Sequence, residues 1–153
     1  MFDYDNLRKT VVQGLNKYLN IPIIRSNQAN ISPSYPYLSY TITMPIKANK
    51  GTYGVYADNK ERTPVTQVWS LTIQSDNYDE TLKLTNRAWE WLSRTGTVYL
   101  NDNGVIVQSV TSITNRDNMI TVEYEYRQGF DVEFWSFDTI ENPNMEFINT
   151  IKI

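Results

Sequence analysis

Two pairs of carboxylates in the second half of the chain have a spacing that could support acid–base chemistry. Glu123 and Glu125 form one pair, and Asp131 and Glu133 form the other. Residues i and i+2 of a strand lie about 6–7 Å apart on one face, a separation similar to that of the two carboxyl groups in glycoside hydrolases. A catalytic carboxylate also requires a desolvated pocket that shifts its pKa. The surrounding residues form an open, alternating pattern, so a solvated or interface face is the favoured interpretation.

The carboxylates lie within residues 119–137, a run of alternating apolar and polar residues interrupted at Gln128-Gly129. Alternation of this kind is typical of a half-buried strand. Nineteen extended residues would span about 60 Å, which is more than a strand of a small domain usually covers. We therefore expect a bulge that bends the strand at Gln128-Gly129, or a turn that splits it there, and the bulge is favoured. The predicted charged face consists of Glu123, Glu125, Arg127, Asp131 and Glu133.

The residue types that serve most enzymes are missing. The chain has no His and no Cys, which excludes Ser–His triads, imidazole bases, thiol nucleophiles and zinc sites built on these side chains. Residues 101–104 (NDNG) lack the further acidic ligands of a calcium loop, so a hairpin turn is favoured. Residues 50–52 (KGT) lack the glycine pattern of a phosphate-binding loop. We expect no catalytic residue, no metal and no cofactor, with a carboxylate-based hydrolase as a minor alternative.

A long polar segment, residues 48–62, carries basic and aromatic side chains. It is too long for a tight hairpin, and loops of this length are usually functional or disordered. Three interpretations stay open for it: a solvated loop, a contact with another protein, or a contact with nucleic acid. The residues that would make the contact are Lys50, Tyr53, Tyr56, Lys60 and Arg62.

The composition is that of a globular chain of 153 residues with 41% hydrophobic and 20% charged residues, and we expect a single domain over 1–153. The net charge of -3 argues against a protein that grips phosphates. No apolar run approaches the ~20 residues that span a bilayer, and the first residues lack the core of a signal peptide. We therefore expect a protein made in a cytosol and used there or in an assembly built there.

Periodicity predicts an α+β fold, with a mixed, mainly antiparallel sheet flanked by two helices and containing a long β-hairpin. Either Asp3 or Asp5 is expected to cap the first helix, and Asp76 the second. The predicted helices cover residues 5–19 and 76–94. The predicted strands cover residues 21–25, 37–46, 63–75, 98–100, 105–114, 119–137 and 147–153.

Residues 126–134, YRQGFDVEF, resemble the R-x-G-F-D-V-x-F strand of tailed-bacteriophage neck and tail-terminator (tail-completion) proteins. The lead-in at residues 113–117, ITNRD, is similar to that family's lead-in, and so is the closing pattern, a short turn followed by residues 148–153. The helix-first layout, the length and the Trp-rich helix in mid-chain are similar as well. The tip of the long hairpin matches no pattern of the family.

The resemblance implies a small subunit that forms a ring, usually a hexamer, and has no catalytic residue or cofactor. Such a ring caps the tail tube, ends tail polymerisation and offers a surface to the head. The implied partners are the tail tube protein and a head-completion or stopper protein, with phage DNA passing through the lumen without specific binding. The implied location is the tail or neck of the virion, and the host cytoplasm during assembly.

In such a ring we expect the charged strand face to lie at a subunit or partner interface and the 48–62 segment to contact the tube or a neighbour. Two alternatives remain open. One is a head-completion or stopper connector. The other, of a different class, is a small ligand- or glycan-binding α+β module that uses its Trp and Tyr side chains.

Overall fold

The computed structural model describes residues 2–26, 33–47, 55–57, 60–120 and 123–141, and for 55–57, 60–62, 118–120, 123–124 and 138–141 it describes the backbone. The described residues form an α+β fold. Residues Trp91–Thr95 form a wider π-helical turn between two of the helices. The elements follow in the order α1 (Tyr4–Leu19), β1 (Ile23–Arg25), β2 (Tyr37–Lys47), β3 (Val55–Ala57), β4 (Lys60–Ser75), α2 (Tyr78–Glu90), α3 (Thr97–Asp102), β5 (Ile106–Val110), β6 (Thr114–Asn115), β7 (Asn118–Ile120) and β8 (Glu123–Glu141).

The described strands form one open, mainly antiparallel sheet in the order β1-β2-β4-β8-β5. Among the described strands, β1 alone runs parallel to its neighbour, β2. The central pair is β4 and β8, which stay in register over sixteen residue pairs from Lys60↔Glu141 to Ser75↔Tyr126. The short strands lie off this path, β3 against β4, and β6 and β7 against β8.

The hydrophobic core lies on one face of the sheet, beneath the helices. Trp69, Leu71 and Ile73 of β4 alternate inward beside Phe130, Val132 and Phe134 of β8, all of them nearly inaccessible to solvent. The helix α1 contributes a stripe at helical spacing, Leu7, Val11 and Leu15. Because strand side chains alternate between faces, Ser70 and Thr72 of β4 and Asp131 and Glu133 of β8 lie on the opposite face.

Helix α1 agrees closely with the prediction. Asp3 is the cap, and its Oδ1 accepts from the backbone N–H of Asn6 at 3.0 Å. Asn20 ends the helix in a left-handed conformation, φ 56°, which asparagine tolerates better than most residues. Gly14 is buried where α1 meets Trp91, and a Cβ there would lie 2.7 Å from Trp91 Cη2.

The expected bulge or turn at Gln128-Gly129 is wrong. Strand β8 runs unbroken through both residues and keeps its register with β4. The even-numbered residues from 126 to 134 belong to the inward face. Gln128 is one polar side chain at an inward position, and it is buried. A single bulged residue would have reversed this alternation, which means that the pattern itself required no break.

The predicted strand at residues 98–100 and the hairpin turn at 101–104 are also wrong. Most of these residues lie in helix α3, which ends at Asp102. Asn103 caps the helix, and Gly104 follows with a φ of +78°. A glycine in this conformation is typical of a helix C-terminus. The three apolar residues before the Asn-Asp-Asn run can pack in either conformation, and burial of Leu100 against the core favours the helix.

Other boundaries shift by a few residues. Asn77 caps α2 in place of Asp76, with its Oδ1 accepting from Glu80 N at 3.0 Å. Strand β4 begins at Lys60, three residues earlier than predicted, so part of the 48–62 segment is a strand. Within the described strands, register shifts occur in β2, between Ile42 and Lys47, and in β5. The predicted last strand, 147–153, lies outside the described residues.

The far ends of β4 and β8 continue past the core as a narrow extension, which we call the arm. It consists of β3, residues Lys60–Val65 of β4 and residues Ser136–Glu141 of β8. Among the described residues, β2 pairs with β4 as far as Thr66. At about 3.3 Å per residue, the arm extends roughly 20 Å beyond that point. Over the described residues, the core ends at Trp69 and Phe134.

Candidate functional site

The sheet face opposite the helices carries the charged residues that the sequence predicted to share one side. Asp131 lies opposite Ser70, and Glu133 opposite Val68, in the register between β8 and β4. Gly129 lies opposite Thr72 on the same face. The alternation of β8 therefore gathers Glu125, Arg127, Asp131 and Glu133 in one row, which we call the charged face, as the sequence predicted. The backbone of Glu123 lies in the same strand, but its side chain is outside the described part of the chain.

Arg116 lies across the middle of the charged face and binds two strands at once. Its Nη1 donates to Ser70 Oγ at 2.8 Å and to Thr72 Oγ1 at 3.0 Å, both on β4. It also approaches the carbonyl oxygen of Leu71 at 3.3 Å. Its Nη2 bonds Asp131 Oδ1 on β8 at 3.2 Å. The guanidinium thus acts as a clamp over the central strand pair.

Local turn geometry places Arg116 over the sheet. Asn115 Oδ1 accepts from Asp117 N at 2.7 Å, which closes a side-chain turn of the kind that asparagine favours. Arg116 N donates to the carbonyl of Arg127 at 2.8 Å, and Asp117 Oδ1 accepts from Arg127 N at 2.8 Å. These bonds fix residues 115–117 beside β8, so that the Arg116 side chain extends over the face.

Gly129 is the residue that lets the clamp close. A Cβ at this position would lie 2.1 Å from the carbonyl oxygen of Leu71 and 2.8 Å from Arg116 Nη1. Both separations are shorter than any Cβ contact tolerates, so only glycine fits under the guanidinium. The sequence predicted neither Arg116 nor this role of Gly129. A glycine in a row of charged strand residues was the available signal, since glycine in a strand often marks a close approach.

Each carboxylate of the charged face whose side chain is described has a cation from its own chain. Lys47 Nζ bonds Glu133 Oε1 at 2.8 Å, and Arg127 Nη2 bonds Glu125 Oε2 at 3.1 Å. Asp131 is held by Arg116. The exposed fraction of the side chain falls from 45% at Asp131 to 24% at Glu133 and 11% at Glu125. The described carboxylates of the charged face are therefore each paired with a positive charge of the same chain.

This arrangement gives little support to carboxylate catalysis. Asp131 and Glu133 lie on an open sheet face, and the first is nearly half exposed, whereas a catalytic carboxyl group needs a desolvated pocket. Across the parts of the chain that the structure describes, no three acidic side chains converge in a way that could hold a metal ion. In the same parts, no helix is long and apolar enough to cross a membrane.

Trp91, one of the aromatic residues that could have served a glycan-binding module, is used in packing. Trp91 is 6% exposed and stacks near Tyr18, with ring centroids 6.2 Å apart. A Cβ on Gly96 would lie 2.3 Å from the Trp91 ring, and Gly14 approaches the edge of the same ring. A sugar-binding platform requires an open aromatic face, which this tryptophan does not offer.

The predicted contact residues of the 48–62 segment divide into two groups. Lys50 and Tyr53 lie outside the described residues. The backbones of Tyr56, Lys60 and Arg62 lie in the arm, where Tyr56 pairs with Glu61, and Arg62 with Thr139. Three of the five residues therefore belong to an extension that points away from the core.

Comparison with known proteins decides the family. A family model described as "Phage neck terminator protein" matches residues 9–153, nearly the whole chain. The chain belongs to the phage neck terminator family. Membership supports a structural role in the neck or tail of a bacteriophage and, with it, a place in the virion. The family is a structural protein family.

Other comparisons add little to this family assignment. One solved structure is similar over 89% of this neck terminator and 96% of its own chain, at 13% sequence identity and a TM-score of 0.44. That likeness is too low to carry an argument. No curated protein matches the sequence.

Proposed function

We propose that this neck terminator acts as one domain that assembles into a closed ring of six copies on the last layer of the tail tube. The ring ends tail polymerisation and presents the surface on which the head is joined, through a head-completion or stopper protein. Assembly takes place in the host cytoplasm, and phage DNA later passes through the lumen without specific binding. The family match supports the neck role, and the arm supports assembly.

The arm is the observation that carries the ring proposal. Small strand groups need a hydrophobic face packed on another layer to be stable, and the described core ends where the arm begins. A neighbouring copy in a ring supplies such a layer. An arm at one side of a copy meets a different surface of the next copy, so the contact is heterologous. Repeated contacts of this kind form a closed ring around a rotation axis.

The charged face supports free passage of DNA, because the cations on it are already paired. Lys47, Arg116 and Arg127 each bond a carboxylate of the same chain. Binding of nucleic acid depends on free Lys and Arg side chains that displace counterions from phosphates. Together with the net charge of -3, this pairing favours a surface that DNA slides past.

The test of the ring is native mass spectrometry with negative-stain microscopy on the purified full chain, with and without tail tube protein. We expect rings of uniform diameter that bind to tube ends. Binding to a head-completion or portal surface alone, with no affinity for tube ends, would instead indicate the connector role. A chain that stays monomeric with tube protein present would contradict the ring.

The contact residues of the arm are tested by charge reversal. We expect Lys60→Glu with Arg62→Glu to reduce ring formation or tube binding. The matched control is Lys9→Glu, which reverses an exposed charge on α1 and should leave both unchanged. If the two variants form rings and bind tubes equally well, the side chains of Lys60 and Arg62 do not belong to the proposed interface.

The charged face is tested by a charge swap, because the Lys47–Glu133 pair can be reversed without being broken. The double variant K47E/E133K keeps the pair within one chain. If the face docks on a neighbour or partner, the swap changes the pattern that the partner meets, and we expect weaker assembly. Unchanged assembly would show that these charges serve only the fold of the subunit.

A further inference from the structure

An apolar groove opens at the base of the arm, between the start of α1 and the ends of β2 and β4. Its volume is about 440 Å³, within the ~300–1,000 Å³ of typical ligand pockets. The lining side chains are Phe2, Tyr4, Ile42, Pro45, Ile46 and Val65. Ile46 at the groove is 68% exposed, so the groove presents a large branched side chain to solvent.

The amide of Gln67, one of two polar side chains that line the groove, is already hydrogen-bonded at both ends. Gln67 is 3% exposed. Its Nε2 donates to the carbonyl oxygen of Pro45 at 3.0 Å, and its Oε1 accepts from Trp69 Nε1 at 2.6 Å. An occupant rich in polar groups would find few hydrogen-bond partners in this lining, and leaving its own hydrogen bonds with water would cost free energy. The chemistry of the groove therefore selects an apolar occupant.

We propose that the groove of each copy binds residues 142–153 of the neighbouring copy. This inference rests on the proposed ring and names a contact that holds it together. The segment is rich in large apolar side chains and carries few charges. Its apolar residues are Met145, Phe147, Ile148, Ile151 and Ile153.

The path of β8 favours a neighbour as the donor of the segment. The strand leaves the core at Phe134 and ends at Glu141, which lies at the tip of the arm opposite Lys60. Seven residues of strand carry the chain about 23 Å outward, and the following twelve residues can reach roughly 40 Å further. The described strand therefore ends away from its own groove and runs outward there, so a segment that continues in that direction reaches a neighbouring copy.

Such an exchange fits a closed ring. The groove and the segment are different parts of the molecule, so the contact is heterologous and each copy both gives and receives one segment. Insertion of apolar side chains into the groove removes their surface and that of Ile46 from water, which is the main source of stability in permanent interfaces.

Cross-linking tests the exchange cleanly because the chain has no Cys. The double variant I46C/I151C is assembled and treated with a short bismaleimide, and a second double variant carries Phe147→Cys in place of Ile151→Cys. We expect a ladder of linked chains on a denaturing gel. The matched control is V98C/I151C, since Val98 is 70% exposed but lies on α3, outside the groove, and it should give no ladder.

The outcomes separate the exchange from the ring. Rings with a ladder support the exchange. If rings form and each chain is linked only to itself, each segment returns to its own groove. If rings form without any link, the segment binds elsewhere. Either result overturns the exchange but not the ring. Absence of oligomers of any kind would overturn both.

A second variant needs no cross-linking. Ile46→Asp places a charge in the groove, and we expect the concentration needed for assembly to rise at least tenfold. Val98→Asp is the matched control and should assemble like the parent chain. Equal assembly of the two variants would overturn the role of the groove, provided that circular dichroism shows both to be folded.

Discussion

The guanidinium of Arg116 lies directly over Gly129, so close that a Cβ on residue 129 would be 2.8 Å from Arg116 Nη1. The two residues are thirteen positions apart and meet on the charged face of the sheet. Through this contact, Arg116 bonds both β4 and β8. The relationship joins the two halves of the phage-like sequence pattern, the lead-in that contains Arg116 and the strand that contains Gly129.

Gly129→Ala should destabilise the chain by about 3 kcal/mol, at the upper end of the usual ~1–3 kcal/mol for overpacking. The reason is that the nearest obstacle is the backbone oxygen of Leu71, which cannot rotate away. Urea denaturation measures the change. In the double variant G129A/R116A one of the two obstacles is gone, so the loss should be smaller than the sum of the single losses. A loss in the double variant equal to the sum of the two single losses would contradict the close approach of Arg116 to residue 129.

Arg116→Ala should cost about 1–3 kcal/mol, mostly from hydrogen bonds to a charged group. The ion pair with Asp131 adds little, since that carboxylate is 45% exposed and exposed pairs are worth about 0–1 kcal/mol. Arg116→Lys should recover only part of the loss, because an ammonium lacks the planar fork that reaches both strands. Asp5→Asn, at an exposed pair, serves as the control and should change the free energy of unfolding by less than about 1 kcal/mol. Full rescue by lysine would show that charge alone matters.

Gly14→Ala should destabilise the chain, although alanine is favoured over glycine in helices by about 1 kcal/mol. The added methyl group would lie 2.7 Å from Trp91 Cη2 and 2.7 Å from Tyr99 Cε1. Tyr99 is 41% exposed and can move, whereas Trp91 is buried and cannot. Thermal unfolding should show a lower midpoint for Gly14→Ala than for the parent chain. The control is Gln13→Ala at the adjacent exposed position, which should not lower the midpoint. A higher midpoint for Gly14→Ala would contradict the packing of Trp91 on α1.

Stability should fall in alkaline solution in a way that depends on Tyr40. Burial raises the pKa of this phenol above its ordinary value of 10.0, and its ring stacks on Trp69 with centroids 4.7 Å apart. In the unfolded chain Tyr40 ionises near pH 10, while the folded chain keeps the proton to higher pH. The contribution of Tyr40 is therefore complete below pH 10 and is lost as the pH rises through the raised value.

Urea titrations at pH 8 and above pH 10 measure this loss. Tyr40→Phe should show a smaller decrease in unfolding free energy between the two pH values than the parent chain, because phenylalanine does not ionise. An identical decrease in both chains would assign the alkaline loss to other tyrosines.

The alternation of residues and the helical stripe were sufficient to predict α1, β2, most of β4 and the inward face of β8. These elements are long and periodic, so the pattern alone determines which side is buried. Helix α3 was not predictable in this way, because its six residues are too few to show a period. The expected break in β8 came from a length argument, and the arm shows why that argument fails: a strand can leave the core and continue outward with a partner.

The site was only half predictable. The charged face follows from the alternation of β8, whereas the pairing of its carboxylates depends on Lys47 and Arg116, which come from distant parts of the chain. Lys47 lies 86 residues from Glu133 in sequence, and no local pattern connects them. The strand order that brings β2 and the 115–117 turn to this face decides those contacts.

The mass of the assembled protein tests the central claim most directly. Native mass spectrometry of the purified chain, alone and with tail tube protein, should give a species of six 17.9 kDa chains, and negative-stain images of the same sample should show closed rings at tube ends. A single 17.9 kDa species at high protein concentration, with tube protein present and tube ends left bare, would contradict the proposal that this neck terminator acts as a ring.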